Sequence, residues 1–424
     1  MKITSKGILK LYIFTVLYAS VLRLIAGRWA TVVADIFTII LLVFVIYNQG
    51  RWSIKVDRHI KVIFILVTVI ELTALFEMFN PNIKNFLYSL IEYRKSYFQL
   101  ITFPIIYWLV KKKFHVQELM SMLKYIAYLS LPIVLYGIKQ YFFWGAIDSK
   151  LLAMMDSGTY TMLYAGHIRS SSIFSGPFHY GMFCAIIATL FLYLWQNEHK
   201  KSDFFSVILC VIGCFCSITR TNIICMMFVL LLWYMMYLRL GKGRNFILEK
   251  AVSVFLVIAA LMLVSYSFLG NSGYNNAFST ALRSLRFIQG DSRFNGRLYT
   301  WLTAIHYIVQ KPILGYGIGS AGDTLAAHSI ASVSVTTHNM ILKMFMELGV
   351  PVGVMYCALF IIPAFSIRQI SDYKLRTVYY CLTSIIFING LTGATISEFP
   401  CLTLYWIIIG ILMANIDNDA LPVA

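Results

Sequence analysis

Long apolar runs recur from one end of this chain to the other. Residues 34–47 read ADIFTIILLVFVIY and residues 401–414 read CLTLYWIIIGILMA. About 18 apolar residues in a row suggest a membrane-crossing helix, and many runs here approach or exceed that length. In water such a chain would expose far more apolar surface than a soluble domain does. The composition agrees: 59% of the 424 residues are hydrophobic and 12% are charged. Soluble domains carry about 25% charged residues. Mean hydropathy is +0.76. We read an all-α polytopic membrane protein, a single integral membrane domain over residues 1–424 whose core is shared with lipid.

About twelve transmembrane helices are expected, near 8–27, 29–47, 60–79, 96–110, 119–144, 176–195, 204–219, 221–238, 251–268, 340–366, 377–395 and 401–416. Lys and Arg concentrate on alternate connections, such as Arg51/Lys55/Arg58/Lys61 and Arg239/Lys242/Arg244/Lys250. These face the cytoplasm by the positive-inside rule, with both termini on that side. The first apolar run passes directly into a second with no small-residue cleavage site, so no cleavable signal is expected. Trp29, Trp108, Trp144, Trp195 and Trp406 fall near expected span ends, as an aromatic belt requires. The eight cysteines lie in or beside apolar runs and read as buried thiols, not as a disulfide or zinc framework.

Residues 269–337 form much the longest connection, expected as a large periplasmic loop. It carries Arg283, Arg286, Arg293, Arg297 and Lys311 against only Asp291 and Asp323, and shorter connections on the same side add Arg169 and Arg220. Long loops cross regardless of charge, which explains why the arginines are tolerated. It does not explain the scarcity of acids. An anionic ligand at the membrane surface does, because Arg presents a planar fork of donors to phosphate oxygens. Within the spans, Arg23 and Asp35 are expected to pair, whereas Glu71 and Lys139 stay open as groups lining a cleft. An unpaired charge at mid-membrane costs about 3 kcal/mol.

Residues 317–322, GIGSAG, match a dinucleotide fingerprint only formally, since no strand precedes them and no βαβ unit surrounds them. The glycines serve better as a tight turn whose backbone amides cradle an anion. Metal ligation is disfavoured: His306, His328 and His338 lack a compact spacing, and Asp417–Asp419 reads as a solvated tail. His338 and Asn339 stand where an apolar helix begins, with Thr336 or Thr337 as the expected cap and His338 in the first turn. Asn339, with Lys343 and Glu347 one and two turns on, holds the local geometry or forms a plain helix pair.

The stretch 293–320, RFNGRLYTWLTAIHYIVQKPILGYGIGS, has the order Gly-Arg, Trp, Ala, Pro, Gly-x-Gly, followed at 338–353 by HNMILKMFMELGVPVG. Together with SITRTN at 217–222 it resembles the O-antigen polymerase and ligase superfamily of bacterial envelope glycosyltransferases, although Thr219 stands where that family usually has Ser. The resemblance runs from Arg169 to Gly353. It implies a metal-independent, cofactor-free, inverting transferase of the GT-C kind in the bacterial inner membrane, with its active site on the periplasmic side. The implied donor is a glycan on undecaprenyl diphosphate. Arg220 and Arg297 match arginines that hold the diphosphate, with Arg293 and Arg169 beside them, and His338 matches the catalytic histidine. The polymerases' Arg-x10-Gly pattern is departed from, since Arg169 to Gly181 is one residue longer and residues 269–337 hold no clear second copy. That departure weakens a polymerase relative to a ligase, yet sparse matching to a family with many divergent polymerases keeps the polymerase first. A flippase or transporter is a distant third, because no repeat relates the two halves. The bilayer and the lipid-linked oligosaccharide are the expected partners, a chain-length regulator is a candidate, and nucleic acid is not expected.

Overall fold

The computed structural model describes residues 5–26, 30–49, 56–113, 116–154, 163–164, 167–240, 292–322, 331–370 and 372–419. The described residues are overwhelmingly helical: α1 (Ser5–Ala26), α2 (Ala30–Gln49), α3 (Arg58–Glu77), α4 (Phe86–Ser96), a 3₁₀ turn (Phe98–Ile101), α5 (Thr102–Lys113), α6 (Val116–Phe142) and α7 (Ala146–Met154). A two-residue hairpin, β1 (Leu163–Tyr164) with β2 (His167–Ile168), leads to α8 (Pro177–Glu198), α9 (Lys201–Cys216) and α10 (Arg220–Leu240). After them come α11 (Ser292–Gln310), α12 (Met340–Ile367), α13 (Tyr373–Gly390) and α14 (Cys401–Asp419).

A helix stands at every expected span except 251–268, which lies outside the described residues. By length and apolarity, five described helices qualify to cross a membrane: α3, α8, α12 and most of α6 and α10. Burial sorts the bundle into centre and rim. The apolar window of α8 is 83% buried, against 33% for α3 and α10. The rim helices turn Leu72, Leu75, Phe76, Ile224 and Leu231 outward, as a lipid-facing surface permits.

Several expectations change. Trp406 is fully buried, packed on Phe103, Phe360 and Tyr405 with ring centroids 6.0, 5.2 and 4.9 Å away, so it belongs to the core and not to an aromatic belt. Asp35 pairs with Arg94 of α4, and the side chain of Arg23, its expected partner, lies outside the described residues. The partner comes from a connection, where span spacing gives no signal. Lys139 meets Asp148 of α7 at 2.6 Å, whereas Glu71 does line a cavity, with Leu42, Ile105 and Trp108, and accepts from the Tyr93 hydroxyl at 2.7 Å. The eight cysteines are all free thiols, and seven of them are buried.

The expected span 340–366 is a broken helix. Gly349 has φ +80° and ψ 164° inside α12, and a Cβ there would run into the carbonyl of Ile313. The chain of residues 311–322 is pressed into this break: Val350 N–H donates to Pro312 O at 2.7 Å and Tyr316 N–H to Met346 O at 2.7 Å. Only glycine meets both demands at that point, a left-handed backbone and no side chain. We expect Gly349→Ala to lower the thermal midpoint of the detergent-purified protein sharply. The conformation alone costs about 1–3 kcal/mol, and the clash adds to it. An unchanged melt would mean the turn does not dock into the break.

Candidate active site

Residues 391–400, the short connection between α13 and α14, gather the other site segments around them. Asn339 Nδ2 donates to Leu391 O at 3.2 Å. One residue on, Thr392 Oγ1 donates to Thr221 Oγ1 at 2.9 Å. Ser397 Oγ lies 2.8 Å from Ser96 Oγ of α4, and Glu398 pairs with His179 at the start of α8. The neighbours of His338 and of Arg220 therefore dock on two consecutive residues. Every segment joined here lies in or at the edge of a connection that the alternating charge pattern assigns to one and the same side.

Arg220 opens α10 just after a tight turn in which Ile218 has φ +46°. A β-branched residue there is a true outlier, held because the turn is tied on both sides. Asn222 Nδ2 donates to Phe178 O at 2.8 Å, and Cys216 O accepts the N–H of Ser170 at 3.0 Å. That second bond brings the loop of Arg169 against the turn of Arg220. Ser170, Ser171 and Ser172 are buried, and Ser172 exchanges bonds of 2.6 and 2.9 Å with Gln140 of α6. Arg169 and Arg220 are themselves half-buried.

Arg297 lies on α11 one turn before Trp301, whose indole N–H donates to Thr337 O at 2.7 Å. It is half-buried, and the side chain of Arg293, one turn earlier, lies outside the described residues. The helix cap differs from expectation. Asn339, not Thr336 or Thr337, caps α12, its Oδ1 accepting from Ile341 N–H at 2.9 Å and Leu342 N–H at 3.1 Å. His338 thus precedes the cap instead of occupying the first turn, with a left-handed φ of +44°. An amide side chain on an extended residue reaches those two donors readily. With Thr337 O held by Trp301 and Asn339 held by Leu391 O, the half-buried His338 is clamped from both flanks.

Behind the cap lies a buried ionic cluster. Lys343 Nζ stands 2.9 Å from Glu92 Oε1 and 2.9 Å from Glu347 Oε1, and Tyr97 donates to Glu347 Oε2 at 2.7 Å. Gly319 N–H donates to Glu347 Oε1 at 3.1 Å and Ala321 N–H lies at 3.4 Å. The glycine turn does cradle an anion, and that anion is the carboxylate of Glu347. Lys343 and Glu347 are therefore more than a surface helix pair. Burial raises the Glu92 carboxyl, but the charges of Lys343 and Lys95 and the hydrogen bonds from Lys343 and Ser96 together hold it below the usual carboxylate range. Asn82 fastens the turn from outside, donating to Tyr316 O at 2.9 Å and Val333 O at 3.1 Å while accepting Val333 N–H at 2.8 Å.

Sequence reasoning missed Glu92, Tyr97, Asn82 and the His179–Glu398 pair. One signal was present: Ser89, Glu92 and Ser96 form a polar row at i, i+3, i+7 in α4. Arg283, Arg286, Asp291, Asp323 and His328 lie outside the described residues.

The fold defines a helical membrane protein in which the segments of Arg169, Arg220 and His338 meet at one end of the bundle. Residues 205–357, from α9 to the middle of α12, match the family model described as O-Antigen ligase. This match supports the O-antigen polymerase and ligase superfamily, whose members are glycosyltransferase-like enzymes of O-antigen assembly. It spans Arg220, Arg297, His338, Asn339, Lys343 and Glu347, and stops short of Arg169. No curated protein matches the chain.

Lys343→Met leaves two buried carboxylates facing each other without their cation. Breaking such a cluster costs about 3–5 kcal/mol. We expect this variant to melt far below wild type in detergent, and Glu92→Gln, which keeps the Lys343–Glu347 contact, to lose less. Equal melting of Lys343→Met and wild type would refute a stabilising role for the cluster.

Proposed function

We propose that this protein moves a glycan from undecaprenyl diphosphate to an acceptor hydroxyl at the periplasmic face of the bacterial inner membrane. The transfer is of the GT-C kind, independent of metal and inverting at the anomeric carbon. What carries the reading is the docking of the Arg220 turn and the His338–Asn339 cap on Leu391 and Thr392, with Arg297 one turn from the Trp301 that grips Thr337.

In the reaction, the acceptor oxygen bonds to the anomeric carbon as the bond from that carbon to the diphosphate oxygen breaks. The diphosphate leaves on its lipid with the electron pair, and the acceptor proton passes to His338. Arg220 and Arg297, with Arg293 and Arg169, bind the diphosphate and stabilise the charge that develops on it. A general base is worth about 10²–10⁴-fold in rate. The left-handed backbone of His338 fits that role, because its direction is set by its clamped neighbours. Asn339, Lys343 and Glu347 position it.

Joining of lipid-linked repeat units is the reading carried forward. Ligation to lipid A core is the second reading, favoured by the description of the matching family and by the long Arg169-to-Gly181 interval. Deletion followed by a lipopolysaccharide gel separates them. A lost ladder with one repeat unit retained means polymerase, and loss of all glycan on lipid A core means ligase. An intact ladder refutes both.

At residue level, Arg297→Lys keeps the charge but loses the two-pronged contact. Its turnover should fall, and that of Arg297→Ala further. Purified His338→Ala should bind lipid-diphosphate donor yet lose about 10²–10⁴-fold in turnover. Near-normal turnover would reduce His338 to a structural residue.

A further inference from the structure

Helix α11 leaves an apolar row uncovered. Leu298, Leu302, Ile305 and Val309 follow the i, i+4, i+7, i+11 spacing of one helix face. They are 45%, 59%, 45% and 72% exposed. The face that docks on α12 is a different one, where Ala304 and Ile308 are buried beside Met346, Leu342 and Phe345. A third face is polar and exposed: His306 and Gln310 lie there, their side-chain nitrogens 2.8 Å apart. The helix thus meets protein on one side, presents hydrocarbon on the second and hydrogen-bonding groups on the third.

A helix surrounded by water gains nothing from the apolar row, and a helix sunk in hydrocarbon could not leave His306 and Gln310 exposed. A helix lying along a bilayer surface needs both faces. The row also runs into other outward-facing apolar surface. The bond from Val350 N–H to Pro312 O sets exposed Ile313 beside the α12 face that carries Val354 and Ile361. On the other flank, Ile318 N–H donates to Glu77 O at 3.3 Å, next to exposed Phe76 and Phe79.

We infer that α11 lies flat in the boundary between hydrocarbon and headgroups, and that what covers its apolar row is the bilayer itself. The inference stands apart from glycan transfer. One consequence alone rests on that reading: Arg297 sits at headgroup depth, where a diphosphate borne by a lipid meets it without leaving the membrane.

Nitroxide labels test this on the full chain in phosphatidylethanolamine–phosphatidylglycerol proteoliposomes. Labels go on Leu302→Cys and Val309→Cys, and on His306→Cys and Gln310→Cys, with the wild-type thiols treated alike as the blank. Oxygen partitions into hydrocarbon and a nickel chelate into water. We expect oxygen to relax the labels at 302 and 309 more than nickel does, and the reverse at 306 and 310. Strong nickel relaxation at all four positions would place the helix in water and overturn the inference. Oxygen dominance at all four would sink the helix in hydrocarbon and overturn it as well. Exclusion of both reagents from 302 and 309 alone would mean that protein, such as a second copy, covers the row, which also overturns it.

Discussion

Lys343 has no exposure to solvent, and its ammonium is divided between Glu92 and Glu347, each at 2.9 Å. One cation and two carboxylates leave a charge that hydrocarbon would not tolerate bare. The Tyr97 hydroxyl and the Gly319 amide supply the remaining donors. The partners come from three pieces of chain, so satisfying one lysine fixes α4 with the Tyr97 that ends it, the glycine turn and the first half of α12 together. The clamp on His338 rests on this floor. Asn339 lies one helical turn before Lys343, and the break at Gly349 lies just beyond Glu347.

The left-handed residues follow a related logic. Besides His199, which ends α8, Ser172, Ile218 and His338 have positive φ without being glycine. All three stand in segments that meet at the same end of the bundle. β-Branched Ile218 is an outlier at that angle, and each of the three is flanked by bonds to other elements that dictate the turn. The strain is met by tertiary bonds, and it aims short segments in directions a relaxed backbone would not take.

Spans were legible in the sequence because lipid imposes length and apolarity locally, and helices occupy the places those runs mark. Arg220, Arg297 and His338 were singled out by charge scarcity, side and motif order, and the matching family model spans all three. What could not be read was pairing across the chain. Asp35 finds Arg94, Lys343 finds Glu92 and Glu347 finds Tyr97, through connections that carry no apolar period. The cap was misread by a small margin: Thr337 is a good N-cap residue, but its carbonyl is drawn to Trp301, and Asn339 takes the role. The anion expected at the glycine turn was real in chemistry but internal in origin.

The connection at residues 391–400 follows nearly every other site segment in chain order, yet it is where they meet. Chains are made from the N-terminus onward. The arginine turn and the histidine cap are therefore already synthesised while nothing yet joins them. Only when α13 and α14 are inserted does this connection arrive and close the ring. The arrangement of these segments is thus the last part of the fold to be completed, and it waits on the final pair of helices.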